Sequence, residues 1–145
     1  MIALIQRVNH ASVKVDGEII GAIDAGLLAF VAIEKHDTPQ TVEKMVEKII
    51  HYRIFSDDAG KMNRSLQDTA GGLLLVSQFT LLANTDKGRR PSFTDSPPVE
   101  MSIALYEHSI MHAKTLLQTV AQGEFGADMK VSLENDGPVT FWLEV

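Results

Sequence analysis

The chain contains no cysteine, which excludes disulfide bonds, thiolate nucleophiles and thiolate zinc sites. No apolar run approaches the length of a membrane span, and Met1-Ile2-Ala3-Leu4-Ile5-Gln6-Arg7 has no basic leader ahead of its apolar part. A membrane partner is therefore not expected, and the cytoplasm is the expected compartment. Positive charge is in short supply as well. Thirteen lysines and arginines stand against nineteen acidic residues, a net charge of -6, so the protein is not a general nucleic-acid coat, and DNA is not an expected partner. Internal repeats and low-complexity segments are absent too.

Common catalytic signatures are also missing. There is no Gly-x-Ser-x-Gly elbow, and none of His10, His36, His51, His108 and His112 is near a candidate nucleophile in sequence. Gly60-Lys61 resembles part of a phosphate loop, but Phe55 stands where its first glycine belongs and no serine or threonine follows the lysine. His108 and His112 have the i, i+4 spacing of a helical metal pair, yet Ser109 replaces the glutamate of the zinc-protease pattern and no third ligand is in view. No metal site and no cofactor are expected.

What remains is an ordinary globular composition, 45% hydrophobic and 22% charged over 145 residues, enough for one domain with a real core. Its centre is Gly71–Leu82, an apolar run between a glycine pair and the turn formers of Ala83–Gly88. Such a run reads as a strand buried on both faces. Extended geometry puts Leu75, Ser77 and Phe79 on one face and Val76, Gln78 and Thr80 on the other. Ser77, Gln78 and Thr80 crowd its polar end. Either they bond neighbouring backbone or they face a site, because a buried unpaired polar group costs about 1–3 kcal/mol.

Ile2–Val8 reads as a strand, and Ala11–Ile23 as a hairpin turning at Asp16-Gly17. Leu27–Ile33 reads as another strand. Thr38 is the expected N-cap and Pro39 the first residue of a helix whose stripe is Val42, Met45, Val46, Ile49 and Ile50. A short strand at Tyr52–Phe55 and a polar loop over Ser56–Ala70 follow. A second helix is expected from Pro97-Pro98 to about Gln122, with Ile103, Tyr106, Ile110, Ala113, Leu117 and Val120 as its core stripe. Between these elements lies the densest positive patch, Lys87, Arg89 and Arg90, either a solvated loop or a clamp for a phosphate backbone. The chain ends in an expected terminal hairpin, Met129–Glu134 and Val139–Val145, turning at Asn135-Asp136-Gly137-Pro138.

Two stretches carry a resemblance. Ser77-Gln78-Phe79-Thr80-Leu81 and Asn135-Asp136-Gly137-Pro138-Val139-Thr140 are similar to the two signature motifs of the D-aminoacyl-tRNA deacylases. The likeness extends through Gln6-Arg7-Val8, Gly60–Asn63, Arg90–Phe93 and Phe125–Met129. It implies a mixed α/β, strand-dominated fold: two packed β-sheets or a barrel-like β core, with two helices on one outer face, in α/β/β layers. It implies a homodimer that hydrolyses the ester of a D-amino acid on the 3′ end of tRNA, and of glycine on the wrong tRNA. It further implies that a Gly-cis-Pro segment, Gly137-Pro138, enters the other subunit's site and rejects L-amino acids, and that Arg7 pins that turn.

The catalytic candidates are Ser77, Gln78 and Thr80. Phe79, Phe125 and Met129 are candidate walls for the adenine or the amino acid, with core packing as the other reading. An unassisted threonine is a poor nucleophile. The substrate's own ribose hydroxyl is the favoured chemical group, and Thr80 is expected to orient rather than attack. Two rivals stand beside this reading, a non-catalytic RNA-binding module and an ester hydrolase for a small metabolite.

Overall fold

The computed structural model describes residues 1–86, 88–94 and 96–145. Strand β1 (Ile2–Val15) is followed by β2 (Glu18–Ile23), β3 (Gly26–Ala32), helix α1 (Pro39–His51), β4 (Phe55–Ser56), β5 (Met62–Arg64), α2 (Leu66–Thr69) and β6 (Gly72–Ser77). A 3-10 turn (Phe79–Leu82), α3 (Val99–Leu116), β7 (Val120–Gln122) and β8 (Lys130–Glu144) complete the order. No described helix is long and apolar enough to cross a membrane.

The long β1 organises the main sheet. Residues Ile2–Val8 pair antiparallel with β3 and Ala11–Val15 with β2, so β2 and β3 lie end to end along one edge. Along the other edge runs β8, paired from Ile2↔Glu144 to Lys14↔Lys130. Strands β3, β6 and β7 are mutually parallel, joined by crossovers that carry α1 and α3, as parallel pairing requires. The sheet curls until β2 meets β7, so closely that a Cβ at Gly21 would be 2.5 Å from the Gln122 carbonyl oxygen. The result is a nearly closed barrel with α1 and α3 on one outer face, as expected.

Period-two geometry divides the core. Leu27, Ala29, Val31, Leu73 and Leu75 face the helices and pack against Val42, Met45, Val46, Ile49 and Ile50 of α1. Leu28, Leu74 and Val76 face the barrel interior with Val8, Val13 and Ile23. Strand β6 is thus buried on both faces, and each of its leucines contributes about 1.5–3 kcal/mol of transfer free energy. Helix α1 begins where expected, with the Thr38 side chain accepting from the Thr41 N–H and Pro39 in the first turn. The β1–β2 turn uses positive φ at Asp16 and Gly17.

Five expectations are corrected. The central strand ends at Ser77, not Leu82. The last helix ends at Leu116, because Leu117 turns extended and Val120–Gln122 adds a strand beside β6. Val120 is therefore on β7, and Ile103 is 36% exposed rather than core. The supposed loop Ser56–Ala70 holds the β4–β5 hairpin and α2, the latter capped by Ser65 and Asp68, and the expected Tyr52–Phe55 strand shrinks to Phe55–Ser56.

The terminal hairpin is overturned as well. Both halves of β8 pair with β1 in one direction, and Asn135–Val139 forms a bulge rather than a reversal. Between Val8↔Asn135 and Gln6↔Thr140, β1 advances two residues and β8 five, so three extra residues project from the ladder. His108 and His112, finally, face α1: Nε2 of His108 is 2.9 Å from Glu43 Oε1 and that of His112 is 3.4 Å from Glu47 Oε1.

Gly26 pairs with Gly72 in the β3–β6 ladder, and a Cβ at Gly26 would stand 1.9 Å from the Gly72 carbonyl oxygen. Gly26→Ala is expected to cost about 3 kcal/mol, because main chain on both sides must separate. Gly17→Ala, with open space around it, should cost about 1 kcal/mol for its positive φ. Urea denaturation of both variants checks the contrast.

Candidate active site

Strand β6 stops being a strand where its neighbours run out. Its pairing with β7 ends at Leu75↔Gln122, and the Gly123 N–H makes the last bond on that side, to the Leu75 carbonyl at 2.8 Å. On the other side the Gln78 N–H still reaches the Val31 carbonyl at 2.8 Å. Gln78 then leaves the extended region, and Phe79–Leu82 wind into the 3-10 turn. The polar residues that looked anomalous in a buried strand lie at this exit. Among the described residues no main-chain acceptor takes the N–H of Phe79 or of Thr80.

The turn presents its side chains outward. Thr80 is exposed and its Oγ1 accepts from Gln78 Nε2 at 2.5 Å. Phe79 is 58% exposed, and its ring leans on Phe93 with centroids 5.1 Å apart. Phe93 follows the basic loop, which an antiparallel bridge closes: Asn84 and Ser92 exchange main-chain bonds of 2.9 and 3.1 Å. Exposed Arg89 and Arg90 are thereby held near the turn; Lys87 lies outside the described residues.

The opposite wall follows β7. The buried Tyr106 hydroxyl lies 2.9 Å from the Leu75 carbonyl and 3.0 Å from that of Gly123, a donor between two parallel strands at the site's floor. Burial, the largest influence on it, pushes its pKa up to about 12. Its ring packs at 6.0 Å from Phe125.

Two cavities open here, sharing Ser77, Gln78, Phe79, Phe125 and Gly126. The first, about 330 Å³, is walled by apolar groups that include Val31, Ile33, Leu82 and Tyr106. The second, about 310 Å³, adds Val76, Asp128, Met129 and Val131. Phe125 and Met129 pack on the two cores; Phe125 also lines both cavities and Met129 the second. Among the described residues no histidine lines either cavity, and Asp128 is engaged by Lys130 at 2.7 Å.

The second motif is elsewhere on the protomer. Arg7 Nε donates to the Asp136 carbonyl at 3.0 Å and lies 3.1 Å from its carboxylate, while Nη1 donates to the Ile54 carbonyl at 2.8 Å. Arg7 therefore ties the bulge to the segment before β4. The Gly137–Pro138 peptide is cis, and Gly137 has φ +143, where a Cβ would meet Val139 Cγ2 at 2.5 Å. Ser77 pairs with Val31, and Val31 with Ala3, whereas the bulge stands opposite Gln6–Val8 on the far side of β1. Four rungs along and three strands across put it about 20 Å from Ser77 along the sheet. Accordingly Ser77, Gln78, Phe79, Phe125 and Met129 are brought together with Thr80 at the rim, and Arg7, Gly137 and Pro138 form a separate group. Tyr106, expected only as core, is the site residue that sequence reading missed; its helical spacing carried no sign of the second role.

The fold is thus a nearly closed barrel that carries an apolar cleft beside main-chain N–H groups at the end of β6. Residues 4–144 match the family described as D-Tyr-tRNA(Tyr) deacylase. The D-aminoacyl-tRNA deacylase of Janthinobacterium sp. (strain Marseille) is 57% identical over 145 residues, covering 100% of this chain and 97% of that protein. That of Pseudomonas fluorescens (strain SBW25) is 56% identical over 144 residues, with 99% of each chain covered. A solved structure titled c-Myc DNA Unwinding Element Binding Protein superposes with a TM-score of 0.94 at 39% identity, covering 100% of this chain and 99% of that one. The chain belongs to the D-aminoacyl-tRNA deacylase family and is a hydrolase.

Because the Tyr106 phenol is favoured neutral in the fold, its contribution to stability is present below the ordinary tyrosine pKa near 10. It is lost as pH rises toward about 12. Melting temperatures from pH 9 to 12 should fall more steeply for the wild type than for Tyr106→Phe, and at pH 7 the variant should be less stable by about 1–2 kcal/mol.

Proposed function

We propose that this chain hydrolyses the ester between a D-amino acid, or misplaced glycine, and the terminal adenosine of tRNA. It does so as a homodimer in which Gly137–Pro138 of one copy completes the Ser77–Thr80 site of the other. The separation of the two motifs within one protomer carries this reading: neither Gly137 nor Pro138 lines a cavity that contains Ser77, so a second copy is the natural source of the missing wall.

The apolar cavity beside Leu82, Tyr106 and Phe125 suits the faces of an adenine ring, and the Arg89–Arg90 loop suits the preceding phosphates. The N–H groups of Phe79 and Thr80, with Ser77 and Gln78, supply donors where negative charge develops on the carbonyl oxygen. Water adds to the ester carbon, its proton passing by way of the ribose 2′-hydroxyl to the departing 3′-oxygen. Free amino acid and tRNA with an intact terminal hydroxyl are the products. Thr80, held by Gln78, orients this arrangement.

Selection is by exclusion. Carbonyl oxygens of the bulge accept from the substrate ammonium and occupy the space an L side chain needs. Glycine has no side chain to collide.

Matched D- and L-aminoacyl-tRNA should separate this reading from its rivals, with rapid loss of the D ester and near silence on the L ester. An RNA-binding module would retain both esters intact, and a small-ester hydrolase would ignore tRNA. Thr80→Ala should keep measurable activity, reduced by about tenfold to a hundredfold, whereas a D-aminoacyl-tRNA ending in 2′-deoxyadenosine should resist the wild-type enzyme. A dead Thr80→Ala enzyme together with a cleaved deoxy substrate would make Thr80 the nucleophile.

A further inference from the structure

Arg7 holds the start of the bulge, but the bulge has a second foot. The Asn135 side chain spans its base: Oδ1 accepts from the Val139 N–H at 2.6 Å, and Nδ2 lies 3.3 Å from the Val139 carbonyl and 3.0 Å from Thr140 Oγ1. Thr140 Oγ1 also accepts from Gln6 Nε2 at 3.2 Å. One amide thus closes a loop of residues that the ladder cannot hold, because the β1–β8 register skips across them. Gln6 and Arg7, adjacent on β1, anchor the two feet separately.

We infer that Asn135 is a positioning residue for stereochemical selection: its amide sets how firmly the Gly137–Pro138 main chain stands against an L side chain. The inference rests on the proposed function and deepens it. A barrier made of main chain rejects only as well as it resists displacement, and a projecting loop owes its stiffness to the bonds across its base. Arg7 fixes the direction of the bulge at Asp136, ahead of Gly137. The carbonyls that follow depend on Val139, which Asn135 holds at both its N–H and its C=O.

The test is the ratio of D- to L-aminoacyl-tRNA hydrolysis, measured with glycyl-tRNA and the melting temperature. Asn135→Ala should lower the D:L ratio by about tenfold, mainly by raising the L rate, since the loss of such hydrogen bonds corresponds to about one decade. The glycyl ester, with no side chain to test, should change no more than the D ester. Asn135→Asp, which keeps the acceptor for the Val139 N–H and loses the donor, should lie between. A merely structural role would lower D, L and glycyl rates in parallel with the melting temperature, and that result overturns the assignment. Should Asn135→Ala fail to fold, Thr140→Val, which removes the shared acceptor at similar volume, decides by the same ratio. If the wild type discriminates and these variants keep its ratio, the role of Asn135 falls alone. If the wild type spares the D ester, the proposed function falls with it.

Discussion

Everything in this molecule is measured from β1. Ladders to β2, β3 and β8 leave neither edge of the strand free, and the main chain of those four strands is held in one register. Through β3 that register reaches β6 and fixes where Ser77 leaves the sheet. Through β8 it fixes where three surplus residues must bulge. A one-residue slip would exchange helix-facing and barrel-facing side chains on every strand, so the positions of both motifs are as firmly set as the core itself.

The same constraint separates them. Ser77, Gln78 and the 3-10 turn lie at one end of the parallel strands, with Tyr106 bonding across β6 and β7 below. The bulge lies at the level of Arg7, outside β1. No bending of a single protomer closes a gap of about 20 Å along a packed sheet. The proposed dimer reconciles the two: each copy offers a cleft that binds and a rigid loop that excludes. A filter made of backbone would need little from side-chain chemistry, which fits a cleft with no histidine among its described lining residues.

Local signals in the sequence were read well. Thr38-Pro39 marks the start of α1 because capping is a property of adjacent residues, and Asp16-Gly17 marks its turn because few residues accept positive φ twice. The leucines of β6 show two-sided burial without ambiguity. Tertiary signals were not legible. Val120 continues a helical period in sequence, but a free β6 edge recruits it as a strand. Asn135–Pro138 contains four turn formers, yet β1 supplies hydrogen bonds to both flanks and converts a reversal into a bulge. The Ser56–Ala70 segment gains order from Asp57, whose carboxylate accepts from the Ala59 and Lys61 N–H groups and Asn63. Of the candidate site, Ser77–Thr80 stands out in the sequence as polar groups in an oily strand. Gly137, Pro138 and Arg7 rested on resemblance, because their partner residues are distant in sequence and their proposed target is on another molecule.

A crystal structure with a non-hydrolysable D-aminoacyl-adenosine analogue tests the central claim most directly. The account predicts the ligand beside Phe79 and Thr80, with its ammonium about 3 Å from main-chain carbonyl oxygens of Gly137 or Pro138 contributed by a second copy of the chain. A ligand bound at that turn with no second copy's bulge within reach of its ammonium would contradict it.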